Sequence, residues 1–194
     1  MTLMEIIVLS LGALLAENFV FARLLGIDPM MRASKGTSGA LGLSAAVAAV
    51  MVTASALLWP VERLLLALKL PYMQTVTFML VLSGLIPLIG FLLGRLAPTL
   101  KAGLGAAMPR IALNSAVLGI AMLSAREGLG FMDSVKAGLS AALGFTVAAV
   151  LFASIREKVD IRSDCPKAFE GLPIALVSAG LLALAFMGFQ GLRV

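Results

Sequence analysis

TSGALGLSAAVAAVMVTASALLW, residues Thr37 to Trp59, contains no charged side chain. A bilayer hydrocarbon core of about 30 Å is crossed by about 20 helical residues, each rising about 1.5 Å, so this run predicts a membrane-spanning helix. Apolar runs of similar length are Leu3–Ala22, Tyr72–Leu93, Leu104–Leu123, Val135–Ile155 and Leu172–Phe189. Breakers and charges separate them: Gly26 and Pro29, Pro60, Pro71, Pro98, and the polar run Arg156–Glu170 with Pro166. The reading is an all-α polytopic membrane protein, with six transmembrane helices in a single domain covering residues 1–194.

Composition agrees. Of the 194 residues, 61% are of the AVILMFWYC set and 13% are charged, and the mean hydropathy is +1.08. Soluble domains carry about 25% charged residues, so water is the wrong solvent for this chain. The same figures exclude a disordered chain. One Cys and no His exclude a disulfide scaffold and a Cys/His zinc module. The net charge of +5 does not point to nucleic acid, because the basic residues are scattered between apolar runs rather than gathered in one patch. The first basic residue is Arg23, so the N-terminal run lacks the basic start of a cleavable signal and is read as a retained helix.

Six spans put both termini on one side. Loops one, three and five carry ten Lys or Arg against five on the opposite side. The positive-inside bias then predicts cytoplasmic odd loops and outward N- and C-termini. Trp59 and Tyr72 stand near span ends, as interfacial anchors do. Pro87 predicts a kink in span three.

The chain also resembles itself. GLSAA at Gly42–Ala46 recurs at Gly138–Ala142, and LVLSGL at Leu80–Leu85 meets LVSAGL at Leu176–Leu181, both at an offset of 96 residues. Three spans per repeat set the halves, about 1–97 and 98–194, upside down relative to each other. Inverted repeats of this kind build midplane sites from broken helices. The small-residue tracts Gly39–Ala49 and Ala137–Gly144 predict faces of close helix approach.

Each half carries a candidate break. In LLGIDPMM, Leu24–Met31, Gly26 relaxes the backbone and Pro29 removes a donor and biases Asp28 away from helix. In MPRIALNSAVLG, Met108–Gly119, Pro109 marks a helix start and Asn114–Ser115 brings polar side chains into apolar surroundings. Two readings compete for these residues: an intramembrane site, or Asp28 as a helix cap and Ser115 bonding back to a carbonyl.

The stretches ENFVFARLLGIDP (Glu17–Pro29), MPRIALNSAVLGIAML (Met108–Leu123), GLSAALGFTVAAVLFASIRE (Gly138–Glu157) and IALVSAGLLALAFMGFQGL (Ile174–Leu192) resemble the six-helix membrane subunits of the Rnf and Na⁺-pumping NADH:quinone oxidoreductase (Nqr) complexes, and among them the A/E type. The resemblance implies an integral membrane subunit of a bacterial or archaeal cytoplasmic (inner) membrane complex that couples electron transfer to Na⁺ or H⁺ movement. It implies no catalysis by the chain alone. It also implies partners, an inverted homologous subunit of the E/D type and the other complex subunits, and a [2Fe–2S] cluster shared with the inverted partner through one Cys from each broken helix.

The family motifs would place those Cys at Asp28 and Ser115, and neither is Cys. The lone thiol, Cys165, falls in the polar loop before span six and is read as a free cytoplasmic thiol. Iron–sulfur clusters favour soft thiolate donors, so the departure implies a divergent paralogue that keeps the scaffold without ligating the cluster. Arg110, four residues before Asn114, suggests instead an ion pair with Asp28 in the space the family gives to the cluster. Glu17, about 21 Å along an unbroken first helix, is either a relay for a proton or Na⁺ or a carboxyl that is paired with a neighbouring subunit or protonated. The competing functional class is a stand-alone inverted-repeat transporter binding an ion or small solute at Glu17, Asp28 and Arg110.

Overall fold

The computed structural model describes residues 19–23, 25–27, 30–31, 36–96, 114–162 and 166–188. Its helices are Phe19–Arg23 (α1), Thr37–Ala67 (α2), Gln74–Leu96 (α3), Ser115–Arg126 (α4), Phe131–Arg162 (α5) and Leu172–Met187 (α6), with 3₁₀ turns at Pro71–Met73 and Lys167–Phe169. The described residues contain no strand, as the all-α reading requires. The helices α2 and α5 are long and apolar enough to cross a membrane. At about 1.5 Å per residue, the 31 residues of α2 extend about 46 Å, well beyond the hydrocarbon thickness.

That length corrects two boundaries. Pro60 does not end the second span: α2 runs through it to Ala67. A proline in a helix removes one hydrogen bond and crowds the preceding turn, yet surrounding packing can hold the helix together. Here Glu62 and Leu65, beyond the proline, are both buried. The stretch from Arg156 is likewise not loop at its start, because α5 continues to Arg162. Of the predicted fourth span, Ser115–Arg126 is helical and residues 104–113 lie outside the described residues. The helix α3 continues past Pro87, and α6 matches its predicted span closely.

Large apolar side chains face outward as well as inward. On α6 Ala175, Ser178, Ala179, Leu182 and Phe186 are buried, while Leu176, Val177, Leu181 and Leu184 are exposed. In water this arrangement would waste the hydrophobic effect. Against lipid it is favourable, because small residues let helix backbones approach while large ones meet acyl chains.

Two compact units divide the chain. The first comprises Met1–Leu41 with Leu143–Val194. There α1 packs on α6 through Phe21 and Phe186, whose ring centroids stand 4.7 Å apart. Gly26 adopts φ 83°, a left-handed conformation that ends a helix and that glycine reaches without Cβ strain. The Arg156 guanidinium donates to the Met31 carbonyl, tying the segment beyond Gly26 to α5.

The second unit, Gly42–Ala142, holds the α2–α3 and α4–α5 connections. Both use the same helix-ending device. At the end of α2, Leu70 N donates to Leu65 O at 2.9 Å and Lys69 N to Leu66 O at 3.0 Å. At the end of α4, Leu129 N donates to Ser124 O and Gly128 N to Ala125 O, each at 3.1 Å. These are paired Schellman bonds, which place one residue in the left-handed region. Gly128 fills that position at φ 63°, but Lys69 fills its counterpart at φ 57°, the only non-glycine with positive φ among the described residues.

Within this unit α2 and α5 approach at Gly138. A Cβ there would overlap the Ser55 hydroxyl and stand 3.0 Å from Ser55 Cβ and 3.3 Å from the Met51 carbonyl. The small-residue tract Ala137–Gly144 therefore marks a packing face at this glycine, as expected.

Candidate functional site

Of the residues singled out from the sequence, Glu17, Asp28 and Arg110 lie outside the described residues, and so does Cys165. The proposed Asp28–Arg110 pair lies outside them with its members. Asn114 and Ser115 are described. Asn114 has extended backbone, φ −64° and ψ 133°, and its Oδ1 accepts from Ala116 N at 3.1 Å, so it is the N-cap of α4. Such a cap contributes about 1 kcal/mol by satisfying an amide that the first helical turn leaves without a partner. The helical register of α4 begins at Ser115, and the shared face of Arg110 and Asn114 lies outside the described residues. Asn114 is 3% exposed, and its Nδ2 has no hydrogen-bond acceptor among the described residues. Ser115 is exposed in the first turn.

A cluster of buried polar residues lies elsewhere, in the second unit. Because α2 continues through Pro60, Ser55, Leu58, Trp59 and Glu62 recur at steps of three, one and three and form one helical stripe. Ser124 with Ala121 on α4, Ser134 on α5 and Phe78 on α3 face the same stripe around a small cavity. Its volume is about 10 Å³, room for one water-sized sphere. Glu62 also lines a larger cleft of about 170 Å³, shared with Arg63, Pro71, Gln74, Ala125 and Gly128. The one carboxyl thus stands between an outer cleft and an inner chamber.

The polar groups of that chamber are poorly matched. Ser55, Glu62, Ser124 and Ser134 are all buried. The hydroxyls of Ser55 and Ser124 have no hydrogen-bond partner among the described residues. Elsewhere helical hydroxyls bond back to their own helix, as Ser83 does to Met79 O, Ser154 to Val150 O and Ser178 to Ile174 O, each at 2.8 Å. A buried hydroxyl left unpaired costs about 1–3 kcal/mol. Nor does a hydrogen bond or ion pair reach the Glu62 carboxyl among the described residues. The adjacent Arg63 is turned away, with its guanidinium 5.3 Å from the Trp59 ring centre and donating to Leu129 O at 3.3 Å.

Trp59 closes the wall. Its Nε1 donates to Leu129 O at 3.0 Å and its ring meets Phe131 edge-on at 5.5 Å. The expected interfacial anchor is therefore also a part-buried clamp between the α2 stripe and the α4–α5 turn. Tyr72, by contrast, is 77% exposed. Local sequence signals miss Glu62, because Pro60 marks the end of the predicted span and leaves this carboxyl in a loop. The signal that could find it is the helical spacing from Ser55 to Glu62.

Comparison with known proteins bears on the whole chain. The family described as Rnf-Nqr subunit, membrane protein, matches residues 6–193. The A subunit of the Na(+)-translocating ferredoxin:NAD(+) oxidoreductase complex of Acetobacterium woodii is 42% identical over 191 residues, 98% of this chain and 99% of its own length. The A subunit of the ion-translocating oxidoreductase complex of Syntrophotalea carbinolica is 42% identical over 189 residues, 97% of each chain. Its counterpart in Azoarcus sp. is 43% identical over 189 residues, again 97% of each.

Proposed function

This chain belongs to the Rnf-Nqr subunit family of membrane proteins, and on that premise we propose how it serves as an integral membrane subunit of an ion-translocating oxidoreductase complex of Rnf type. The observation that carries the reading is similarity along nearly the full length to relatives that are named as the A subunit of such complexes. The exposed apolar side chains of α6 and the two long apolar helices agree with it.

Finer features extend the proposal. The chain crosses the bacterial inner membrane six times, as two inverted halves of about residues 1–97 and 98–194, with both termini outward. In support, α5 starts at Phe131 and α6 at Leu172, each within two residues of where a 96-residue shift would carry the starts of α2 and α3. Its partner in the membrane is an inverted homologue of the E/D type. Electron donors and nucleotide chemistry belong to other subunits.

The residues present do not fit the thiolate-held [2Fe–2S] cluster of the family. Ser115 offers a hydroxyl at an exposed first-turn position, and its neighbour Asn114 is engaged as the helix cap. Asp28 offers a carboxylate, and the single Cys is Cys165. Iron in such clusters favours thiolate, so this chain keeps the scaffold and does not ligate a cluster through these positions.

Affinity purification of the tagged chain from its native membrane tests the reading. Co-isolation with flavin and iron–sulfur subunits is expected. Isolation alone, with ligand-dependent flux in liposomes, would favour a stand-alone transporter. Iron and sulfide analysis with EPR on the purified complex then addresses the cluster, comparing the native chain with Asp28→Cys/Ser115→Cys. A signal gained only in the double variant is expected, and an undiminished native signal assigned to this chain would refute the loss.

A further inference from the structure

We propose that the chamber bounded by Ser55, Glu62, Ser124 and Ser134 is a binding site for one small, largely dehydrated monovalent cation of the size of Na⁺. For its part in transport the inference rests on the ion-translocating reading above; the site itself stands on geometry.

Three observations converge on it. First, the donors are all oxygen: one carboxyl and serine hydroxyls from three helices, set between the aromatic walls of Trp59 and Phe78. Hard oxygen donors suit alkali and alkaline-earth cations rather than softer metals. Second, the Ser55 and Ser124 hydroxyls are at least nine-tenths buried, unpartnered, and line the same cavity as Glu62. Three other helical serines satisfy themselves on their own helix, so these two are held back by the packing around them. A hydroxyl oxygen keeps lone pairs for a cation whether or not its proton is bonded. Third, a cavity of about 10 Å³ admits one ion or water and no polyatomic solute.

Charge selects the valence. A carboxylate held away from water favours a counter-charge, and one cation of charge +1 neutralises it, whereas a divalent ion would leave an excess charge. Arg63 acts on the carboxyl only at a distance, since its guanidinium lies over Trp59 and donates to Leu129 O rather than to Glu62. Access comes from the larger cleft, which shares Glu62 with the chamber, so an arriving ion meets the carboxyl before the two hydroxyls.

The test is thermal unfolding of the purified full-length chain in lipid nanodiscs, titrated with NaCl against choline chloride and KCl at equal ionic strength. Na⁺ is expected to raise the Tm progressively, because a ligand bound only to the folded state stabilises it by mass action. Glu62→Gln, which keeps the size of the side chain, is expected to abolish the response. Ser55→Ala and Ser124→Ala, which keep the carboxyl, are expected to weaken apparent affinity by about tenfold each, in line with hydrogen bonds to charged groups. A Na⁺ response unchanged in Glu62→Gln overturns the site. So does the absence of any Na⁺-specific response in the native chain, or a chamber served equally by choline. The outcome is separable from membership of the complex, which depends on co-isolation and not on this titration.

Discussion

Trp59 Nε1 donates to the Leu129 carbonyl at 3.0 Å across seventy residues of sequence, joining the C-terminal third of α2 to the turn that leaves α4. That turn is itself ordered by Gly128, whose left-handed conformation sets the Leu129 carbonyl in place after the paired Schellman bonds. Arg63 reaches the same oxygen and lies over the same indole. One carbonyl therefore gathers the groups that close the polar chamber.

Replacing Trp59 by Phe keeps an aromatic wall and deletes the donor. The expected cost is about 1 kcal/mol, the net contribution of one hydrogen bond, read as a lowered Tm in nanodiscs. Trp59→Ala also removes the edge-on contact with Phe131 and should cost about 3–5 kcal/mol. If both variants lose the same amount, the hydrogen bond rather than the ring holds the turn.

Lys69 occupies a left-handed helix-ending position at φ 57°, where a side chain is strained by about 1–2 kcal/mol. Lys69→Gly relieves that strain, against a small loss of backbone freedom on folding, and is expected to raise stability by about 0.5–1 kcal/mol. Lys69→Val, branched at Cβ, should lower it. Thermal unfolding of the three proteins side by side measures the order Gly above Lys above Val, and any other order contradicts the strain at this position.

Gly138→Ala inserts a methyl group against Ser55 and the Met51 carbonyl. Overpacking of this kind costs about 1–3 kcal/mol. Adding Ser55→Ala removes the nearest obstacle, the hydroxyl, and should recover part of the loss. It cannot recover all of it, because Ser55 Cβ and the backbone oxygen of Met51 remain at 3.0 and 3.3 Å. A double-mutant cycle in unfolding free energy measures the coupling. Complete additivity would mean that the two helices do not meet at this point.

Much of the architecture was legible because transfer of a helix into lipid depends on composition summed over its length, a property any stretch carries wherever it packs. Thr37–Trp59 announced a helix of membrane-crossing length in this way, and Leu172–Phe189 a shorter apolar helix. The cap at Asn114 was not read as one: Pro109 stood as the start signal, and an asparagine shows itself as a cap only where its side chain meets a free amide. Helix ends were read less well. Pro60 and Arg156 are local signals of termination, and α2 and α5 override both because packing beyond them holds the helix.

Run length, apolar content and the spacing of repeats thus belong to the chain itself, since each is a sum over neighbours in sequence. The meeting of Glu62 with Ser124 and Ser134 belongs to packing alone. Nothing local to α2 states which way its polar stripe will turn, or that two hydroxyls from different helices will be left without partners beside it. That outcome depends on how closely the backbones approach, as they do at Gly138, and on where the Leu129 carbonyl stands to receive Trp59.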